Sequence, residues 1–395
     1  MNHQAPLFRL LPLLSLMAAA LQPAAATDYL YTKAGSPYTI AANVIVGTGD
    51  LLTIQPGAEL ILNTGIGIQI NGGKMTAIGT VENPIRIHGV WETSVGGEIV
   101  LNSPELCQLE YVHFNYYGGV RVEKTTPYPD HLIQHCVFQW RGVTINNARV
   151  RIFHCVFGKE LSAGVNWTPS VSIGELCPQI WYCVFGGGGI AVVGSGEIDF
   201  EGRDFFRFNR VMSGVGASFH AAEGRFANLQ TRNCNLAGCS PSVRYWATGR
   251  NYYYLYESWI SNILLTDCDI SSVEVVLDGT GPANLRDNVS FSNNWWGTTN
   301  TVVIADRITL PTTQPKNFSP IKTTSNFRQA DVDGSDGGGK TTQADADLIK
   351  KYLVGMEALS PEQLTIADVD GSGTVDLRDV VIIESFLNGF LWKLP

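Results

Sequence analysis

At 395 residues the chain is long enough for one large domain and a second small one, and its 41 glycines suit many tight turns better than long helices. A formal net charge of -9 argues against a nucleic-acid partner, because phosphate backbones are gripped by a positive excess. The N-terminal apolar run is short and broken by proline, and no later stretch is long enough to be a membrane span.

Arg9, the apolar run Leu10 to Leu21 and then Ala24-Ala25-Ala26 have the three parts of a secretory signal peptide, residues 1–26. Cleavage before Thr27 predicts an exported protein, extracellular or at the cell surface. The mature chain opens with Ser36-Pro37-Tyr38-Thr39-Ile40, Leu52-Thr53-Ile54-Gln55-Pro56-Gly57 and Ile66-Gly67-Ile68-Gln69-Ile70-Asn71-Gly72-Gly73, and runs on to Asn83-Pro84-Ile85-Arg86-Ile87. These are short alternating strands punctuated by turn residues.

From Tyr111 to Gly297 one pattern returns. It reads Tyr111-Val112-His113-Phe114, His135-Cys136-Val137-Phe138, His154-Cys155-Val156-Phe157 and Tyr182-Cys183-Val184-Phe185. Looser copies begin at Phe208, Asn233, Asp267 and Asn293. Units of a few tens of residues that cannot bury an apolar face alone imply a stack. Side chains alternate along a strand, so the second and fourth residues form two interior columns. One holds Val112, Cys136, Cys155, Cys183, Asn209, Cys234, Cys268 and Asn294; the other holds Phe114, Phe138, Phe157, Phe185, Val211, Leu236, Ile270 and Trp296. Small residues beside large ones, coil after coil, predict a parallel β-solenoid over residues 27–308. A bare solenoid end exposes unpaired backbone, which makes Asp28 to Ile40 the candidate N-terminal cap.

Export permits disulfides, but five of the eight cysteines fall in the interior column, where a free thiol acts as a small apolar residue. Cys107, Cys177 and Cys239 lie off the column, and a Cys234–Cys239 bridge stays open. On the outer side, His135 and His154 are equivalent in successive coils, near Arg141, Arg149, Arg151 and Lys159. Glu197, Asp199, Glu201, Arg203, Asp204, Arg207 and Arg210 form a second charged cluster, read as a solvated face with cross-strand ion pairs. The outward Val137, Val156 and Val184 suggest that an inserted loop covers that side. The longest interval between column residues contains Tyr245, Trp246, Tyr252, Tyr253, Tyr254, Tyr256 and Trp259, rings suited either to a packed lid or to stacking on sugars.

Thr and Pro take over in residues 309–326, which read as an extended linker. Beyond it, residues 327–395 hold Asp368-Val369-Asp370-Gly371-Ser372-Gly373-Thr374-Val375-Asp376-Leu377-Arg378-Asp379. Calcium takes six or more oxygen ligands. Asp368, Asp370, Ser372, the Thr374 carbonyl, Asp376 and Asp379 fill positions 1, 3, 5, 7, 9 and 12 of a calcium loop, with Gly373 at the turn. A helix from Val380 to Leu387 follows, stopped at Asn388-Gly389. Upstream, Asp331, Asp333, Ser335 and Asp345 precede a matching helix that starts at Leu348, with Asp345 opposite Asp379. That loop has three extra residues, so Ser335 and Asp336 compete for one ligand position.

Two groups of motifs resemble known families. The opening strands and Asn293-Asn294-Trp295-Trp296-Gly297-Thr298 resemble secreted bacterial right-handed parallel β-helix proteins, which implies that fold across most of the chain. The two loop-helix units resemble a dockerin module, which implies two bound calcium ions and a cohesin-like protein partner. Loop positions 10 and 11 hold Gln343-Ala344 and Leu377-Arg378, where that family usually has Ser or Thr. The predicted fold is therefore all-β, a right-handed parallel β-helix followed by a small α-helical calcium-binding module. Three functions fit it: a secreted protein that binds extracellular polysaccharide and is attached through the calcium module, a polysaccharide lyase or glycoside hydrolase, and a structural subunit that self-associates head to tail. No catalytic motif of those enzyme families is present.

Overall fold

In the computed structural model, the residues described are 26–90, 97–115, 119–126, 129–158, 164–169, 177–200, 205–213, 215–237, 239, 241–248, 250–251, 256–257, 259–271, 275–276, 284–309, 316–323, 330–334, 341–388, 391 and 393–394. The proposed signal peptide lies outside them, apart from Ala26. The chain winds into a parallel β-solenoid of about eight turns, followed by short helices. Three strand stacks form its walls. One runs from Val44–Val46 through Val143–Asn146 to Val243–Thr248, and a second from Asp28–Tyr31 through Val150–Phe153 to Gln230–Arg232. The third runs from Tyr38–Ile40 through Val112–Asn115 to Arg210–Val211, and single bridges continue it through Asn235 and Asp269 to Trp295.

From Tyr111 onward the chain passes from the second wall to the third through one residue in the left-handed region. Tyr111, His135, His154, Tyr182, Phe208, Asn233, Asp267 and Asn293 hold φ between 50° and 59° at equivalent places in successive turns. That conformation costs an L-residue about 1–2 kcal/mol, least for Asn and Asp. Where the residue is aromatic, stacking offsets the cost. Ring centroids are 4.6 Å apart for Tyr111–His135, 5.1 Å for His135–His154 and for His154–Tyr182, and 5.0 Å for Tyr182–Phe208. The equivalence of His135 and His154 is thus a structural ladder on the outer corner.

Just past this corner the small column turns inward. The thiols of Cys136, Cys155, Cys183, Cys234 and Cys268 each donate to the carbonyl two residues back, at 3.3–3.4 Å. Two asparagines interrupt the cysteines by doing the same work with an amide. Asn209 accepts from Cys183 N–H at 2.9 Å and donates to the Ile180 carbonyl at 2.7 Å; Asn294 accepts from Cys268 N–H at 2.9 Å and donates to the Leu265 carbonyl at 2.8 Å. Both are buried with those bonds made, as a buried amide requires. Two residues further on, Phe114, Phe138, Phe157 and Phe185 stack at 4.6–5.0 Å in strict register.

All eight cysteines are free, so no Cys234–Cys239 bridge exists. Cys107 and Cys239 lie off the column but are fully buried in the same core. The residues expected to cap the N-terminus instead belong to the solenoid itself, with Asp28–Tyr31 pairing in parallel to Leu51–Ile54 and Tyr38–Ile40 to Glu59–Leu62. At the other end, helix α1 (Thr301–Asp306) is capped by Asn300, and Ile308–Thr309 pairs with Val275–Val276. Part of the expected linker is no spacer. Asn317 and Pro320 accept from Phe291 and Asn293 N–H at 2.8 and 2.6 Å, and Phe318 and Ile321 pack on the core. This segment covers the last coil.

Two outcomes test the interior. His131 points inward, 1% exposed, and its Nδ1 accepts from Cys107 N–H at 3.1 Å, while Nε2 has no hydrogen-bond partner among the described residues. Burial lowers its pKa from 6.5 to about 4. Unfolded chain therefore binds a proton that the folded chain refuses. Stability should be intact above pH 6.5 and fall by about 3 kcal/mol as pH drops through 4. Denaturant titrations at several pH values should show this loss, and a His131→Gln variant should lack most of it. A thiol-exchange reagent should react promptly only with half-buried Cys177 in the folded protein, and with all eight thiols once it is unfolded.

Candidate calcium centre and partner surfaces

After the solenoid, helices α2 (Gln343–Leu353), α3 (Pro361–Ala367) and α4 (Leu377–Leu387) enclose a separate core. Its members come in pairs from the two loop-helix units: Ala330 with Ala367, Val332 with Val369, Ala346 with Val380, and Ile349 with Ile383, all essentially fully buried. Within each helix the last two pairs keep a spacing of three, Ala346 to Ile349 and Val380 to Ile383, which puts them on one face. Sequence reading placed the starts of α2 and α4 three to five residues late and missed α3 altogether. Ser360-Pro361-Glu362-Gln363 carries the missed signal, a capping box with proline at the first helical position. Gln363 also donates to the Val332 carbonyl at 2.7 Å, which ties α3 to the first loop.

Asp379 lies fully buried at the third position of α4. One carboxylate oxygen accepts from Val369 and Asp370 N–H at 2.9 and 3.2 Å; the other accepts from Asp376 N–H at 2.8 Å. Asp345 repeats this at α2, accepting from Asp333 N–H at 2.9 Å and from Thr342 N–H at 2.7 Å. The equivalence of Asp345 and Asp379 expected from the spacing is thus present in three dimensions. Each buried carboxylate caps its helix and joins two acidic residues of its loop. Asp331, Asp333 and Asp345 bring carboxylate oxygens within 4.8 Å of one another, and so do Asp368, Asp370 and Asp379. Gly373, at φ 84°, makes the sharp turn of the second loop.

Converging carboxylates of this kind are the hard-oxygen donor set that calcium takes. The remaining expected ligands stand differently. Asp376 turns outward, capping α4 through Arg378 N–H at 2.7 Å and pairing with the Arg378 guanidinium at 2.8 Å. That pairing holds its carboxyl below the usual range. The Ser372 hydroxyl donates to the Thr374 carbonyl at 3.0 Å, so both oxygens lie beside the loop but bond each other. Ser335 and Asp336 lie outside the described residues.

The aromatic candidates fare unevenly. Tyr245 points into the solenoid at 1% exposure and stacks on Phe219 at 5.2 Å, so its ring is unavailable to a ligand. Trp246, Tyr256 and Trp259 lie on strands, but their side chains are outside the description, as are Tyr252, Tyr253 and Tyr254 entirely. The strand pair Arg250–Asn251 with Tyr256–Glu257 is antiparallel, unlike the walls. Of the charged candidates, Arg151 and Arg149 face Asp130 at 3.0 and 3.7 Å, the ion pairing expected of a solvated face.

A different aromatic set went unnoticed in the sequence. On the outside of the second wall, Gln134, Phe153, Trp181 and Arg207 form one column in register. The Phe153 and Trp181 rings stack at 5.5 Å, and the Arg207 guanidinium lies 5.5 Å from Trp181 and 4.1 Å from Phe208. Each residue immediately precedes a left-handed corner residue, which is the signal that locates the column.

Residues 329–388 match the family described as dockerin type I domain. No curated protein and no solved structure matches the chain. The dockerin match implies attachment to a protein partner through a cohesin, and dockerin domains bind calcium. Among the described residues no helix is long and apolar enough to cross a membrane.

Calorimetry of the full chain checks the metal centre. Chelation should melt the three-helix module at low temperature and leave the solenoid transition in place, whereas calcium at about a hundred times its Kd should restore about 2.7 kcal/mol to the module alone. Asp379→Ala should weaken that response, because it removes a carboxylate of the second cluster and a helix cap together while leaving Asp331, Asp333 and Asp345 in place.

Proposed function

We propose that the chain is a secreted β-solenoid that binds acidic extracellular polysaccharide along its second wall and is attached to a cohesin-bearing partner by its calcium-loaded dockerin module. Asp331, Asp333 and Asp345 hold one ion. Asp368, Asp370 and Asp379 hold the other, with Ser372, Thr374 and Asp376 turning toward it on loading and the first loop completed by Ser335 or Asp336. Calcium supplies folding energy to a module whose core is too small to stand alone.

The observation that carries the polysaccharide reading is the outward column of Phe153, Trp181 and Arg207. Because the rings stack on one another, they offer a sugar polymer a strip of apolar ring edges, and the guanidinium beside them donates to a carboxylate. Successive coils repeat at the strand spacing of about 4.8 Å, so the platform extends along the solenoid in the way a polymer requires. Partner attachment draws support from apolar side chains left outside the small core. Leu377 and Val381 are 65% and 54% exposed one turn apart on α4, and Val354 and Met356 are exposed near the end of α2. Apolar residues grouped in this way on a small module suit a protein interface.

Incubation with a panel of neutral and acidic polysaccharides, following both retained protein and newly formed chain ends, tests the reading. Retention on acidic polymers without new ends is expected. Trp181→Ala should weaken it by about tenfold, a loss of about 1.4 kcal/mol. Undiminished retention in that variant would count against the column, and new unsaturated or reducing ends would make the chain an enzyme.

A further inference from the structure

The third wall presents an outward column that runs His113, Val137, Val156, Val184, Arg210 in unbroken register. Side chains there should face solvent, yet Val184 is only 3% exposed. Arg210 accounts for what lies beyond. Its guanidinium sits 3.4 Å from the centre of the Phe386 ring, and its Nη1 donates to the carbonyls of Phe386 and, at 3.2 Å, of Leu391. Both residues belong to the three-helix module, more than 170 positions away in sequence. No carboxylate pairs with Arg210 among the described residues. At Arg210 this column is met by the end of the calcium module.

The contact is chemically specific. Phe386 lies in the last turn of α4, where carbonyls are left without helical partners and the helix dipole is negative, so a cation is favoured there. Phe386 is also a core residue of the module, 4% exposed, and Leu391 packs on the same core. Burial lowers the Arg210 pKa from 12.5 to about 10, the mark of a cation taken from water. A guanidinium buried against an aromatic face and two carbonyls exchanges hydration for contacts that depend on the end of α4 and the segment after it staying in place.

We propose that the solenoid carries a built-in docking site for its own calcium module, with Arg210 as the clamp, and that calcium binding and docking are coupled. The coupling element is α4. Its first turn is fixed by Asp376 and Asp379 of the second loop, and its last turn supplies the ring and a carbonyl that Arg210 holds. Calcium orders the helix at one end and so completes the docking site at the other. Linkage then requires the reverse, that docking strengthens calcium binding. The docked module leaves Leu377 and Val381 exposed for an external partner. This inference rests on the calcium assignment of the second loop and is independent of the polysaccharide reading.

Small-angle scattering and calcium titration calorimetry on the full chain test it, with Arg210→Glu and Arg210→Met as variants. Arg210→Met keeps the apolar stem, and solenoid integrity is followed by circular dichroism in both. The wild-type chain should be compact in calcium and extended after chelation. Both variants should be extended even in calcium, with affinity at the second site weakened about threefold or more. Calcium uptake by wild type with no uptake-dependent compaction, or equal affinity and dimensions in the folded variants, would overturn the clamp. Absence of calcium uptake would overturn the clamp and the metal assignment together.

Discussion

The left-handed corner between the second and third walls is the constraint on which the solenoid depends. From Tyr111 onward one residue per turn must adopt a conformation that ordinary side chains resist, and it must do so at the same place in each successive coil. The chain meets this in two ways. Through the middle turns it uses rings, whose stacking on the outer corner offsets the local cost; beyond Phe208 it uses Asn and Asp, which adopt the conformation more readily. The inward residue that follows must be small and must satisfy the carbonyls the bend leaves over, which cysteine does weakly and asparagine fully. Register then follows automatically, because the next inward position is two residues on and receives the phenylalanine stack. Inner core and outer column are consequences of one repeated bend.

The small module solves a related problem with charge. Its helices begin at buried carboxylates that cap the helix and reach back into the loops, so helix start and loop closure are the same event. Crowding three carboxylates within 4.8 Å is unfavourable without a cation, which is the physical ground for the proposed coupling of calcium to folding of the module. Among the described residues the solenoid contains no such group and stands on apolar burial and strand pairing. Arg210 joins the two parts, a cation of the wall held against the last turn of a helix whose first turn carries the buried Asp379 carboxylate.

Much of this was legible in the chain. The two interior columns were readable because the four-residue pattern keeps its period of two in every copy, and the pairing of Asp345 with Asp379 because they stand at the same distance before Gly355 and Gly389. What failed did so for physical reasons. Tyr245 reads as part of an exposed aromatic run, but it continues the inward register of Phe219. Residues 316–322 look like a spacer by composition, yet Phe318 and Ile321 find an open coil end to cover. Phe153 and Trp181 sit in separate coils whose lengths differ, so their alignment emerges only from the strand register. Arg210 was read as one member of a charged surface cluster, since nothing local announces a partner 176 residues later.

The central claim is that a calcium-ordered dockerin module tethers the solenoid to a protein partner. Titration of the intact chain against a panel of isolated cohesin domains, with calcium and then with chelator, examines it directly. The account predicts saturable one-to-one binding to at least one cohesin in calcium and its loss on chelation. A calcium-loaded, folded module that binds none of them, or binding that is indifferent to calcium, would contradict it.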